Sequence, residues 1–419
     1  MTAPLTSGVT VPGTEKVAPL RRNRDFRLLW SGQIASELGT SSTALAAPLL
    51  VLSVTGSART AGAIATIGAG VAAVGRLPAG ALADRCNRRW LMLGSDTGRF
   101  LASLTLGVCL LLGHAPLALI VAVVSLTALL EVLFFPAQIA AVSRLVAPDQ
   151  LTAAFSGNEA RTYAASLGGP PLGGALYSLG RAVPFLLDAL SYLISWTTVA
   201  AIRTPLQAER TAGKTQSLLA DIRDGIAHVL RSRFLRALIL IAAPLNFAFN
   251  GALFTATIAL RQAGNPASLI GLAMAGLGAS GLLGAFAAAW LTRRLRLDQL
   301  VILVCAAQTA AISAAATLSG QPLMVLPLAG GFFLAPAANA ALFARLGAST
   351  PDHLQSRVIS VVVLAASGAA AFAPLTCGLL ISTSGAPVAL LGCAAALLTA
   401  LLVALTATGM REAAPAGSA

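Results

Sequence analysis

Charge is scarce in this sequence: Asp, Glu, Lys and Arg together supply only 10% of its 419 residues. Soluble domains carry about a quarter. A chain with so little polar surface cannot cover itself in water, so most of it must face lipid. Histidine occurs three times and cysteine five times, with no CxxC or Cys/His spacing. That pattern supports neither a zinc site nor a disulfide framework. Lysine is nearly absent, Lys16 and Lys214 standing against twenty-six arginines, a bias of high-GC bacterial genomes. No Ser-His-Asp, metal-ligand or paired-carboxylate arrangement supports an enzyme, and no cofactor or metal is expected. Gly213-Lys214-Thr215 looks like the end of a phosphate-binding loop, but position 208 is alanine where such a loop needs glycine. Nucleotide binding there is rejected, and a primary ATP-driven pump with it. Residues 1–20 lack the apolar core of a signal peptide, so the first span is expected to insert uncleaved.

What fills the chain instead is apolar: 57% hydrophobic residues and a mean hydropathy of +0.82. Segments of membrane-spanning length fall at about 26–52, 61–83, 90–112, 116–140, 158–180 and 183–202. After a polar stretch they resume at about 233–260, 267–291, 299–319, 322–345, 357–382 and 386–408. The expected fold is therefore all-α, with twelve transmembrane helices in two six-helix bundles. Residues 1–25 form an N-terminal tail, 203–232 a linker between the bundles, and 409–419 a C-terminal tail.

The net charge of +13 does not point to nucleic acid, because the arginines sit in short clusters between apolar runs, as flanks of spans do. With the N-terminus placed inside, twenty-two Lys/Arg fall in tails and loops on that side. The opposite loops hold Arg59, Arg181 and Arg261, and Arg76, Arg99 and Arg161 fall within spans. This asymmetry predicts that both termini and the linker are cytoplasmic. An internal repeat supports the duplication. Phe134-Phe135-Pro136-Ala137, Arg144 and Pro148-Asp149 resemble Phe332-Phe333, Pro336-Ala337, Arg345 and Pro351-Asp352.

Between spans two and three lies Gly80-Ala81-Leu82-Ala83-Asp84-Arg85-Cys86-Asn87-Arg88-Arg89. Its glycine allows close helix approach, its aspartate suits a helix N-terminus facing it, and its arginines hold the cytoplasmic side and pair with acids. This run resembles the signature loop of the major facilitator superfamily, with Gly80, Asp84, Arg85, Arg88 and Arg89 at the matching positions. The corresponding loop of the second half keeps Arg293, Arg294 and Arg296 but has no aspartate. In span five, Gly169-Pro170-Pro171-Leu172-Gly173-Gly174 is similar to the core of that superfamily's exporter motif, without its upstream glycines. Physically such a run kinks a helix and lets it pack tightly. The opening Arg22-Asn23-Arg24-Asp25-Phe26-Arg27-Leu28-Leu29-Trp30, followed by Ser36-Glu37-Leu38-Gly39, is similar to the enterobactin-exporter and macrolide-efflux branch. Two departures stand out. Members often carry an acid after the glycine of span one, where this chain has Thr40, and the Arg-centred motif of span four is absent, with Glu131 in that region.

The resemblance implies a monomeric, multi-pass transporter of the bacterial cytoplasmic membrane. It would export a small molecule (a drug, siderophore or secondary metabolite) in exchange for protons. Import of a metabolite on the same fold, and a non-transporting sensor or scaffold, remain open alternatives. Ionisable residues within spans are functional candidates, because charge is costly there. Glu37, Glu131 and Asp96 are the candidate proton carriers, Glu37 leading because it sits near the middle of span one. Arg161 is a possible partner of Glu131 or Glu159. Asp96 and Arg99, three apart, could neutralise each other. Asp188 falls in the first turns of span six, where the helix dipole favours an acid. The second half has no acid well inside a span. Its Asn246, Asn250, Gln308 and Asn339 are candidate substrate contacts, or hydrogen-bonding packing residues.

Overall fold

The computed structural model describes residues 20–207, 227–349 and 352–406. Within the first stretch lie α1 (Arg24–Thr55), α2 (Ala58–Arg85), α3 (Arg88–Leu111), α4 (Leu117–Leu145), α5 (Leu151–Leu179) and α6 (Val183–Ala200). Then follow α7 (Arg233–Gln262), α8 (Ala267–Arg294), α9 (Leu297–Thr317) and α10 (Val325–Phe332). The chain continues with α11 (Ala335–Ser349), α12 (Asp352–Ser384) and α13 (Ala386–Thr406). Most of the linker (residues 208–226, with Gly213-Lys214-Thr215) and most of both tails fall outside the described residues.

Among the described residues, ten helical segments are long and apolar enough to cross a membrane. The helices α3 and α5 are not among them. The first carries Arg88, Arg89, Asp96 and Arg99, and the second Asn158, Glu159 and Arg161 beside its Gly-Pro run. A helix in lipid satisfies every backbone group within itself, and a polar stripe is tolerated where it turns toward other helices. The packing fits that rule. Helix α1 packs on α5 and α6, α3 on α4 and α6, and α2 on α4. Among the later helices α7 packs on α12 and α13, α9 on α13, and α8 on α10 and α11.

The expected span at 322–345 is two helices, α10 and α11, interrupted at Phe333 and Leu334. Pro336 has no N–H, so the Phe332 carbonyl lacks its donor four residues on. Ser280 of α8 donates to the Ala329 carbonyl, and the Gly284 backbone lies against the Phe333 carbonyl with no room for a Cβ. The corresponding Pro136 of the first half stays inside an unbroken α4.

Candidate functional site

The opening segment ties three helix ends together. Asn23 caps α1 by accepting from the Phe26 N–H at 3.0 Å and donates to the Leu145 carbonyl at the end of α4 at 2.6 Å. The Asp25 carboxylate accepts from the N–H of Arg203 and Thr204 and from the Thr204 hydroxyl, at 2.7–3.1 Å. In the signature loop, Arg88 donates to the Leu206 carbonyl at 3.2 Å and Arg89 to the Ala200 carbonyl. These two arginines therefore hold the end of α6 and the segment after it through backbone oxygens. The backbone places Gly80, Asp84 and Arg85 in the last turns of α2. Their side chains fall outside the described residues.

The Gly-Pro run of α5 joins it to two neighbours at once. The Gly169 and Gly173 backbones lie against the backbone of Ser41 and Ser42 on α1, and Gly174 against the Ala267 carbonyl on α8. In return, Gly271 of α8 lies against the Pro170 carbonyl. A matching contact joins α2 and α12, where Gly62 meets the Pro374 carbonyl and Gly378 the Ala58 carbonyl. None of these positions has space for a Cβ, and small residues are what let helices in lipid approach so closely.

Beside this seam lies a cavity of about 1070 Å³, lined by α1, α2 and α5 on one side and by α7 to α12 on the other. Pro170 and Pro374, whose carbonyls receive the glycines, are part of its wall. The four amides Asn246, Asn250, Gln308 and Asn339 all line it, with Tyr163 and Ser166 from α5. Asn246 and Asn250 donate their amide N–H to carbonyls one turn earlier at 2.9 Å, which leaves their oxygens as acceptors. The Gln308 amide oxygen is buried and has no partner. Phe249 and Phe332 stack tilted, with ring centroids 4.6 Å apart. No charged side chain is among the described residues that line this cavity.

The charged groups gather instead among α1, α3, α4, α5 and α6. Arg161 holds Glu37 with two hydrogen bonds of 2.8 and 3.0 Å, joined by the Thr162 hydroxyl. Its partner is thus Glu37, not Glu131 or Glu159, because α1 and not α4 packs on this face of α5. Arg99 does not pair with Asp96. It lies over the Tyr192 ring at 4.1 Å and donates to the Tyr192 and Thr40 hydroxyls, both at 3.1 Å. Asp96 accepts from Ser195 at 2.6 Å, and Ser195 in turn accepts from Gln33 at 2.9 Å. Asp188 is not at an exposed helix end. Only 2% of it is exposed, and Ser103 donates to it at 3.2 Å. Beside it is a second cavity of about 210 Å³, lined among others by Thr40, Ser103, Glu131, Asp188 and Tyr192. Composition does not single out Tyr192, Ser103 or Ser195. Spacing does, since 96, 99 and 103 on α3 and 188, 191, 192 and 195 on α6 each trace one helix face. Arg76 donates to Ser367 on α12 at 3.1 Å.

A helical bundle with a large cavity between two sets of apolar helices is the architecture of a membrane transporter. The chain belongs to the transmembrane secretion effector family, whose model matches residues 14–415. Macrolide efflux protein A of Streptococcus pyogenes is 24% identical over 225 residues, covering 54% of this chain and 56% of that protein. The match therefore spans about half the length of this relative. Among solved structures, a bacterial homologue of the human lysosomal transporter Spinster, inward-facing and unoccupied, gives a TM-score of 0.76 at 15% identity. That likeness covers 94% of this chain and all of the other. The nucleoside transporter NupG, in a mutant form, gives 0.72 at 11% identity, over 93% of this chain and all of that one. At such identities the structural likeness extends to the fold alone.

Proposed function

We propose that this chain is a secondary exporter of a small amphipathic molecule, driven by inward proton flow. Counting α3 and α5 with the ten apolar segments gives twelve spans, arranged as two pseudo-symmetric six-helix bundles in the bacterial cytoplasmic membrane. The protein works as a monomer with both termini in the cytoplasm. The observation that carries this reading is the cavity of about 1070 Å³ walled by helices from both halves and free of charged side chains among its described residues. Its size lies at the upper end of small-molecule sites, which run to about 1,000 Å³. Amide and hydroxyl groups on an aromatic and aliphatic wall suit a molecule with hydrogen-bond donors on one side. The macrolide efflux relative supports export. With the termini inside, the glycine seam closes the outer end of the cavity, and rocking the two halves would open it in alternation.

Coupling is assigned to the first half, where Glu37, Glu131 and Asp96 lie apart from the substrate cavity. Of these, Glu37 is held by Arg161, and Glu131 is exposed at the edge of the smaller cavity. The test uses purified protein in proteoliposomes with an imposed pH gradient and a radiolabelled macrolide as probe. Glu131→Gln should lose gradient-driven accumulation, because a carboxylate within a span that carries the proton cannot be replaced by an amide. It should still exchange macrolide across the membrane. Glu37→Gln breaks the α1–α5 ion pair, so its exchange itself should slow. Full accumulation in Glu131→Gln, with loss only in Glu37→Gln, would move the coupling role to α1.

A further inference from the structure

We propose that the 210 Å³ cavity among α1, α2, α3, α4 and α6 is a proton-binding site, with the Asp188 carboxylate as acceptor. The inference rests on the reading of the chain as a proton-coupled exporter and adds the place where the proton is held. Asp188 is 2% exposed and lines the cavity. Its Oδ2 accepts from Ser103, and its Oδ1 has no hydrogen-bond partner. A buried polar atom left unpaired is costly and calls for a ligand or a function. A proton taken up from cavity water forms an O–H bond on that oxygen and removes one negative charge from the cluster. On release it returns to water, with no other bond made or broken.

The groups facing Asp188 fit that role. From α3 comes Arg99, a fixed cation, with Asp96 one turn earlier turned toward Ser195. From its own helix comes Tyr192, whose hydroxyl is taken up by Thr40 and Arg99. From α4 comes Glu131, the one exposed carboxylate on the cavity wall, placed where a proton would enter or leave. On α1 the facing residues are Gly39 and Thr40, without a titratable group. A metal cation is disfavoured here. Hard cations need several free oxygens, while those of Thr40 and Tyr192 both accept from the Arg99 guanidinium.

Position links the site to transport. Ala44 on α1 and Ala65 on α2 line both the small cavity and the large one. The two cavities therefore share a stretch of wall on α1 and α2. The Gly39 backbone rests on Asp188, so a Cβ there would come within 2.7 Å of the free oxygen. Substrate pressing on α1 would be felt directly at the carboxylate.

The test is hydrophobic carbodiimide labelling of the purified wild-type protein in liposomes, read by peptide mass spectrometry. The reagent adds only to protonated carboxyl groups, so it needs neither transport activity nor a variant that folds. Asp188 should be modified, with yield falling about tenfold per pH unit above its midpoint, and sodium chloride should not change it. The Asp188→Asn protein should lack that product alone. Absence of modification at Asp188 while Glu131 or Glu37 reacts, or yield independent of pH, would overturn the proposal. Protection by sodium at constant ionic strength would overturn it in favour of a metal-cation site. If the wild type labels as expected but an imposed pH gradient drives no macrolide accumulation, the site stands and the reading of macrolide as cargo fails.

Discussion

Arg99→Ala should lose about 3–5 kcal/mol of stability, the cost of stripping a buried charge cluster of its partner, and transport with it. Arg99 is 4% exposed and is the cation of a cluster that holds Asp96 and Asp188. Its guanidinium bridges α3 to Tyr192 on α6 and to Thr40 on α1, so three helices share one side chain. Alanine leaves both hydroxyls short of a donor and the two carboxylates without positive charge nearby. Arg99→Lys keeps the charge but not the planar fork or the stacking on Tyr192, and should fall between the two. Thermal unfolding in detergent, with size-exclusion profiles, reads the effect. An Arg99→Ala protein as stable as the wild type would mean that the cluster is held by its hydroxyl groups alone.

Gly271→Leu should abolish transport while the protein still folds. The Gly271 backbone lies directly on the Pro170 carbonyl of the exporter motif. A side chain there must push α5 and α8 apart, since the obstacle is backbone and cannot rotate away. Overpacking of this kind costs about 1–3 kcal/mol, less than a membrane bundle needs to unfold but enough to keep the seam from closing. Gly62→Leu, against Pro374, should act likewise on the α2–α12 side. Single cysteines on the cavity wall, such as Ser166→Cys, in a background without the native five, should then react from outside with impermeant thiol reagents. Normal transport in Gly271→Leu would show that the glycine seam plays no part in the cycle.

The helices are legible in the sequence because hydrophobic length and arginine flanks are local properties of the chain. The four amides Asn246, Asn250, Gln308 and Asn339 stand out as polar residues in apolar runs, and the structure brings all four to one cavity. What the sequence hides is rotation about each helix axis. By depth and position the sequence offers Glu131 and Glu159 as partners for Arg161, yet its partner is Glu37. Only the packing of α1 on α5 selects Glu37. The same holds for Arg99, which turns from Asp96, its neighbour three residues away, toward Tyr192 ninety-three positions on. Pro136 and Pro336 sit in similar sequence, yet only the second interrupts its helix. Gly284 and Ser280 on the neighbouring α8 supply the contact that accommodates the break.

Direction and driving force together are the centre of the account, and one measurement addresses both. Inverted membrane vesicles containing the protein, acidified inside by an imposed gradient, are supplied with a radiolabelled macrolide. Export driven by protons predicts uptake into these vesicles above a matched control without the protein, lost on adding a protonophore. Uptake that ignores the protonophore, or accumulation only in right-side-out vesicles, would contradict it.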